Sequence, residues 1–354
     1  MQLPISPRRR LIGAAAIACA AALIPAASFA ATASAAGARA TVGSPASGPA
    51  RAHPVTAYVV NEASGTVTPI STATNKALTA IKVGKDPRAI AITPNGKTAY
   101  VTNGGSDTVT PISTATNTAL TAIKVGQGPG YIAITPNGKT AYVTNVAGTV
   151  TPIQTATNTA LTAIKVGPGA GAIAITPNGK TAYVVSQAEG TVTPIRIATN
   201  TALTAIKSGG GPDAIAITPN GKTAYAANYI AATGMPLGNT VTPIRIATNT
   251  ALKPITVGTP LSGPIAIAIT PNGKTAYVAD IAATVTPIRI ATNTALKAIT
   301  VGSNSRAIAI TPNGTTAYIV NGGSGTVTPI RVATNTALKA ITVGNFPDAI
   351  AITP

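Results

Sequence analysis

The sequence has almost none of the side chains on which most catalytic and metal sites depend. It contains one cysteine, one histidine and no tryptophan in 354 residues. Cys19 lies near the N-terminus and His53 follows in a Gly/Ala/Ser/Pro-rich segment, so the rest of the chain has neither residue type. We therefore expect no disulfide, no zinc, copper or iron ligand set and no nucleophile–histidine–acid triad.

Acidic and aromatic side chains are also scarce. Aspartate and glutamate number seven against 25 lysines and arginines, which gives a net charge of +18, and aromatic residues make up 3% of the chain. The carboxylates are scattered singly, so no calcium loop is expected, and no cofactor is predicted. The excess positive charge favours attraction to polyanions, although nucleic acid is not an expected partner because no set of aromatic residues for base stacking accompanies it.

The N-terminus has the pattern of an export signal. Arg8–Arg10 precede a mostly apolar stretch over residues 11–30, and the small residues Ala33–Ala35 follow. A basic start, an apolar middle and a small-residue exit predict a signal peptide over residues 1–36. We expect a secreted or cell-surface protein whose mature chain has no transmembrane domain.

Two features of this leader leave alternatives open. Arg8, Arg9 and the apolar pair Leu11-Ile12 resemble a twin-arginine signal, although Pro7 stands where serine or threonine is usual. General secretion and an uncleaved membrane anchor are the other two possibilities. Residues 37–55 are predicted to be a flexible linker.

A repeat of about 42 residues fills the chain from residue 56 to 354. The sequence Ile-Thr-Pro-Asn-Gly recurs six times, and a seventh Ile-Thr-Pro ends the chain. Its threonines stand at positions 93, 135, 176, 218, 270, 311 and 353. A period near 40 with only strand-like segments is typical of a β-propeller. We therefore predict an all-β fold and one seven-bladed propeller.

Each repeat contains four short apolar runs, which predict four antiparallel strands per blade. In the first full repeat they cover residues 89–93, 98–103, 108–112 and 119–125, and an Asn-Gly hairpin signal joins the first two. The repeats begin at a second strand near Tyr58 and end after a first strand, 349–353. The C-terminal strand should therefore complete the N-terminal blade, which closes a monomeric ring and removes a free sheet edge.

The second strands carry a recurring tetrapeptide that resembles the signature of the YVTN-repeat β-propeller family. It reads Tyr-Val-Thr-Asn at 100–103 and 142–145, with variants beginning at Tyr58, Tyr183, Tyr225, Tyr277 and Tyr318. The resemblance implies a seven-bladed ring of a kind often found in secreted or surface-layer proteins, and no single function. The aspartate that often follows the third strand in that family is replaced here by serine, glutamine or arginine.

Two sets of residues are candidate binding sites. Turn lysines and strand-end arginines should share one face of the ring and form a polyanion-binding surface. The alternative is that these charges only keep an otherwise apolar protein soluble. They are Lys97, Lys139, Lys180, Lys222, Lys274, Arg196, Arg245, Arg289 and Arg331. An anionic cell-envelope polymer or a surface protein would be the partner.

The second candidate site is the mouth of the central channel on the other face. The residue before each first strand should lie near the axis, so we expect Asp348 to pair with Arg306 or Arg88 across the ring closure, beside an open wall near Tyr131. An insertion over 228–239, with Tyr229, Met235 and Leu237, and an extension over 258–265 belong to this face. The predicted ligand-binding residues are Arg88, Tyr131, Asp213, Tyr229, Arg306 and Asp348.

The absence of histidine and of a metal set leads us to predict a non-enzymatic protein, an extracytoplasmic binding or surface-associated scaffold that presents loops on a rigid ring. Two alternatives remain open at this point. One is a lactonase-type enzyme acting on a small molecule, and the other is a purely structural surface-layer subunit.

Overall fold

The computed structural model describes residues 56–71, 74, 76–231, 237–343, 347 and 350. The predicted leader, the linker and Met235 lie outside these residues, as do Asp348 and most of the predicted closing strand. Within the described residues every regular element is a β-strand, and no helix is long and apolar enough to cross a membrane.

Seven antiparallel sheets follow one another along the chain. The first comprises β1 (Thr56–Asn61), β2 (Thr66–Ser71), β3 (Lys76–Ala77) and β4 (Ile81–Lys82). The second comprises β5 (Pro87–Ile92), β6 (Thr98–Asn103), β7 (Thr108–Ser113), β8 (Thr118–Ala119) and β9 (Ile123–Lys124). The third comprises β10 (Pro129–Ile134), β11 (Thr140–Asn145), β12 (Thr149–Gln154), β13 (Thr159–Ala160) and β14 (Ile164–Lys165). The fourth comprises β15 (Ala170–Ile175), β16 (Thr181–Ser186), β17 (Thr191–Arg196), β18 (Thr201–Ala202) and β19 (Ile206–Lys207).

The remaining three sheets repeat this order. The fifth comprises β20 (Gly210–Ile217), β21 (Thr223–Ala231), β22 (Leu237–Arg245), β23 (Thr250–Ala251) and β24 (Ile255–Thr256). The sixth comprises β25 (Pro264–Ile269), β26 (Thr275–Asp280), β27 (Thr284–Arg289), β28 (Thr294–Ala295) and β29 (Ile299–Thr300). The seventh comprises β30 (Ser305–Ile310), β31 (Thr316–Asn321), β32 (Thr326–Arg331), β33 (Thr336–Ala337) and β34 (Ile341–Thr342). The prediction of an all-β, seven-bladed propeller is confirmed.

The outer strand of each blade differs from the continuous run that the sequence predicts. In the second blade it is divided into β8 and β9, and both pieces pair with β7. The break lies opposite Pro111, which has no N–H to donate to the outer ladder. One hydrogen bond survives there, from the Leu120 N–H to the Pro111 carbonyl at 2.8 Å.

The hydrophobic core lies between neighbouring blades. One cluster joins Tyr100 and Val109 of the second blade to Ile132 and Val143 of the third, and all four side chains are buried. The hydroxyl of Tyr100 also donates a hydrogen bond of 2.6 Å to Asn158 Oδ1 in the next blade. The tyrosines of the second strands are therefore structural side chains that bind one blade to the next.

The end of each second strand is held by a second repeated contact. The side-chain amide of Asn103 donates to the hydroxyls of Thr108 and Thr110 on the following strand, at 3.1 and 2.9 Å. This contact links the last residue of the Tyr-Val-Thr-Asn tetrapeptide to the Thr-Val-Thr of β7. It recurs at Asn61, Asn145, Asn228 and Asn321.

Candidate functional site at the channel mouth

The strand directions give the ring two different faces. Pro87, at the start of the innermost strand β5, lies opposite Asn103 at the end of β6. The face that carries these residues and the β6–β7 hairpin is called the mouth face. The opposite face carries the Asn-Gly-Lys turns, such as Asn95–Lys97, and is called the lysine face.

The first strands converge on the ring axis, so residues near their starts surround the channel on the mouth face. Strand β5 packs beside β10, β10 beside β15, and β15 beside β20. The equivalent positions in these four blades hold Arg88, Gly130, Gly171 and Asp213. Two consecutive glycines therefore lie between a cation and a carboxylic acid along this arc.

Tyr131 follows the first of these glycines. It stands where the neighbouring repeats have a small alanine, such as Ala89, and its backbone N–H donates to Thr144 Oγ1 at 3.2 Å. A Cβ atom added at Gly130 would meet no atom within 4 Å. The space beside Gly130 is therefore open, and the phenol of Tyr131 is the large side chain of this part of the mouth.

Tyr131 is within electrostatic reach of two charged residues. Burial raises the pKa of its hydroxyl well above the ordinary value, the negative charge of Asp213 raises this pKa further, and the positive charge of Arg88 lowers it. The phenol is therefore protonated at neutral pH and can donate a hydrogen bond. Because these three residues come from different blades, only the closed arc of the ring brings them together.

Asp213 is the unusual acid of this group. Burial raises the pKa of its carboxyl to about 6, because a low-dielectric environment disfavours the charged form. The Gln187 side-chain amide donates to Asp213 Oδ1 at 3.3 Å and orients the group. Asp213 and Gln187 are both partly buried.

Arg88 extends along the mouth face over the adjacent hairpin. A Cβ added at Gly104 would lie 2.7 Å from Arg88 Nε, so the arginine side chain crosses directly over this glycine. A shallow cleft of about 520 Å³ begins at Gly104 and continues toward the third blade. It is lined by Gly104, Gly105, Asp107, Gln127, Gly128, Val146 and Ala147. The cation therefore lies between the channel mouth and an open surface groove.

The other predicted ligand-binding residues lie elsewhere on the mouth face. Arg306 lies against Gly322 of its own blade, 3.1 Å from where a Cβ would be. Tyr229 packs against Gly263, so the insertion of the fifth blade contacts the extended loop of the sixth. Asp348, and with it the predicted Arg–Asp–Arg cluster at the closure, lies outside the described residues.

The insertion predicted as a loop over 228–239 is partly regular structure. Strands β21 and β22 run three residues beyond the usual ends and pair as far as Ile230 and Leu237. Gln187 was not among the predicted site residues. The sequence could have indicated this residue, because Gln187 departs from the repeat: the equivalent position in the second and seventh blades is a glycine, Gly104 or Gly322.

The structure brings the candidate polyanion-binding residues to the lysine face. Arg196 pairs with Thr181, directly after Lys180, and the arginines at 245, 289 and 331 have the same register. The turn lysines and these four arginines are all exposed. No group of three histidine, cysteine, aspartate or glutamate side chains that could hold a metal occurs in the part of the chain that the structure describes.

Solved structures share this architecture. Hydrazine synthase of Kuenenia stuttgartiensis is 24% identical, with a TM-score of 0.68, over 78% of this chain and 92% of that chain. A functionally unknown protein from Desulfotomaculum acetoxidans is 21% identical, with a TM-score of 0.66, over 83% of this chain and 97% of that chain. A candidate 6-phosphogluconolactonase from Bacteroides fragilis is 21% identical, with a TM-score of 0.61, over 79% and 91%. At these identities the likeness shows the fold. No curated protein matches the chain.

A family match corrects the functional prediction. Residues 154–346, more than half of the chain, match the family described as "Lactonase, 7-bladed beta-propeller". The prediction of a non-enzymatic scaffold was therefore wrong. It treated the lack of histidine as an argument against catalysis, whereas Asp213, Tyr131 and Arg88 can provide a base, a neutral donor and a cation without one. The chain belongs to the lactonase family of seven-bladed β-propellers.

Proposed function

We propose that the protein hydrolyses a lactone at the channel mouth, with Asp213 as the general base. The observation that carries this proposal is a carboxyl with a pKa of about 6, held by Gln187 and near a neutral phenol. The guanidinium of Arg88 acts on the same phenol from its other side in the ring. A base with this pKa is ionised at neutral pH and still basic enough to accept a proton. The family match supports the reaction class.

The reaction begins with a water molecule beside Asp213. The carboxylate accepts a proton from this water as its oxygen bonds to the carbonyl carbon of the lactone, and the carbonyl electron pair moves to the oxygen. Arg88 and the hydroxyl of Tyr131 are the donors available to stabilise this oxyanion. Donors arranged before the reaction are worth more in a site shielded from water than in solution.

Ring opening completes the cycle. The bond between the carbonyl carbon and the ring oxygen breaks, and the proton held by Asp213 passes to that ring oxygen. The product is the open-chain hydroxy acid, and Asp213 is again ionised. The product carries a new carboxylate, which Arg88 can bind as it leaves toward the adjacent cleft.

The proposal is tested by hydrolysis of a panel of γ- and δ-lactones with the full chain and single variants. Asp213→Asn keeps the shape of the side chain and removes the base, so kcat/KM should fall by roughly 10²- to 10⁴-fold. Glu62→Gln, an exposed carboxylate on the same face, is the matched control and should leave the rate unchanged. If Asp213→Asn hydrolyses every lactone as fast as the unmodified protein, the assignment of the base is wrong.

Two further proposals concern context rather than chemistry. The basic leader supports export, with the enzyme working outside the cytoplasm or at the cell surface. The seven tyrosine-based strand repeats support a position among the YVTN-type rings within the seven-bladed propellers. N-terminal sequencing of exported protein tests the first proposal, because the mature chain should begin near residue 37.

A further inference from the structure

The described acidic side chains all lie on one face of the ring, whereas cations occur on both faces. Six of the seven acidic residues are described, and all six lie on the mouth face: in hairpins between second and third strands, before or near the start of first strands, or at the end of a second strand. They are Glu62, Asp86, Asp107, Glu189, Asp213 and Asp280. The lysine face has no carboxylate among the described residues. No described carboxylate therefore neutralises its charges.

The cations of the lysine face are concentrated in one arc. The fourth, fifth and sixth blades each place a turn lysine next to a strand-end arginine, and the seventh blade adds Arg331. In the fourth blade the N–H of Ile197, which follows Arg196, donates to the carbonyl of Lys180 at 3.0 Å. The fifth and sixth blades repeat this contact between Ile246 and Lys222 and between Ile290 and Lys274.

The turns that carry the lysines are rigid. In the fourth blade Asn178 Oδ1 accepts hydrogen bonds from the Lys180 N–H at 3.0 Å and from the Thr176 hydroxyl at 2.7 Å. The same pair of contacts occurs at Lys97, Lys139, Lys222 and Lys274. The lysine side chains therefore project from a preorganised backbone, which lowers the entropy lost when a partner binds.

We infer that the arc formed by Lys180, Arg196, Lys222, Arg245, Lys274, Arg289 and Arg331 binds a flexible polymer of phosphate groups. Neighbouring like charges destabilise a sheet, and a polyanion removes this repulsion when it releases its own counterions. The arc follows four consecutive blades. A linear polymer can follow such an arc, whereas a flat surface would contact all seven blades equally. No aromatic side chain is exposed on this face among the described residues, so base stacking does not contribute.

This surface is separate from the catalytic proposal. The arc lies at the opposite end of the strands from Asp213 and Tyr131, and none of its residues contributes to the mouth. Loss of polymer binding should therefore leave lactone hydrolysis intact, and the failure of one proposal does not imply the failure of the other.

The test uses long-chain inorganic polyphosphate as the probe. The arc variant replaces Arg196, Arg245, Arg289 and Arg331 with glutamine, the residue that the third blade already carries at this position, Gln154. The matched control replaces four outer-strand lysines, Lys82, Lys124, Lys165 and Lys207, with glutamine. Both variants lose four positive charges, and the control residues pair at the mouth-face end of the third strand instead.

Binding is measured between 50 and 300 mM salt. Each phosphate contact contributes about 0.7 to the slope of log affinity against log salt for a single-stranded polyanion, so the arc variant should lose roughly three units of slope. At 100 mM salt its affinity should fall more than about tenfold, and the control should stay close to the unmodified protein. Should the arginine variant fail to fold, glutamine at Lys180, Lys222 and Lys274 tests the same arc.

Three results would overturn the inference. Equal losses in the arc and control variants would mean that net charge alone attracts the polymer. A salt slope near zero would exclude counterion release. Tighter binding to vesicles containing anionic phosphatidylglycerol than to polyphosphate would identify a bilayer as the partner.

Discussion

The two faces of this ring are made from the same seven repeats, but the residues on one face vary much more between repeats than those on the other. On the lysine face the turns are nearly copies of one another, with the same threonine–asparagine contacts in blade after blade. On the mouth face the equivalent positions hold arginine, glycine, aspartate or isoleucine. Repetition produces a uniform surface, whereas a site with distinct chemical roles requires that the repeats differ.

The largest expected effect concerns the pH dependence of activity at the mouth. Because the pKa of Asp213 is raised to about 6, kcat/KM should rise about tenfold per pH unit below that value and level off above it. Between pH 4 and pH 7 the increase should be about 100-fold. Circular dichroism at each pH controls for unfolding. A flat profile across this range would show that Asp213 does not act as the base.

The same carboxyl should lower the stability of the fold. Its folded pKa lies above the ordinary value of 3.8 for an aspartate, so the unfavourable contribution is absent at low pH. It grows as the pH rises through about 6 and is fully present above. Asp213→Asn should therefore raise the free energy of unfolding by as much as about 3 kcal/mol at pH 7.5 and by little at pH 4. Urea unfolding at both pH values measures this, and destabilisation at pH 7.5 would indicate a structural ion pair.

A smaller effect should follow from moving Arg88 without removing it. Gly104→Ala places a Cβ 2.7 Å from Arg88 Nε, and the exposed arginine must shift. We expect KM to rise by about tenfold or less, with a change in unfolding free energy within about 0.5 kcal/mol. Gly322→Ala, which brings a Cβ to 3.1 Å from Arg306 Cγ in the equivalent hairpin, is the control. Equal changes in KM for both variants would argue against a special role for Arg88.

The smallest effect tests the repetitive part of the fold. Tyr277 donates a hydrogen bond of 2.5 Å to Asn335 in the next blade, and Tyr277→Phe should cost about 1 kcal/mol of unfolding free energy. Tyr318 is the second-strand tyrosine of the last blade. By the same spacing its hydrogen-bond acceptor would be Asn75 of the first blade, which lies outside the described residues. If the ring closes through the same contact, Tyr318→Phe should cost a similar amount. No measurable cost at Tyr318 alongside a clear cost at Tyr277 would separate the closure from the other blade junctions.

The repeat made much of this protein predictable from its sequence. The spacing of Ile-Thr-Pro-Asn-Gly predicts seven blades because each repeat must bury its apolar strands against the next one. Because successive strands in a blade run in opposite directions, the sequence also predicts that the turn lysines and the strand-end arginines lie at the same end of the strands. The break in each outer strand was not predicted, although its cause, the proline of the third strand at Pro111 and its equivalents, is visible in every repeat.

The chemistry at the mouth depends on tertiary structure. The residue types at positions 88, 131, 187 and 213 are evident in the sequence, and three of them were singled out there. Their proximity is a property of the ring, because residues up to 125 positions apart meet only where innermost strands converge on one axis. The raised pKa of Asp213 has the same origin, since it arises from the protein that surrounds the carboxyl and not from its neighbours in the chain. The sequence determined the blades and the charge carried by each face, and the closed packing of those blades determined which side chains can act together.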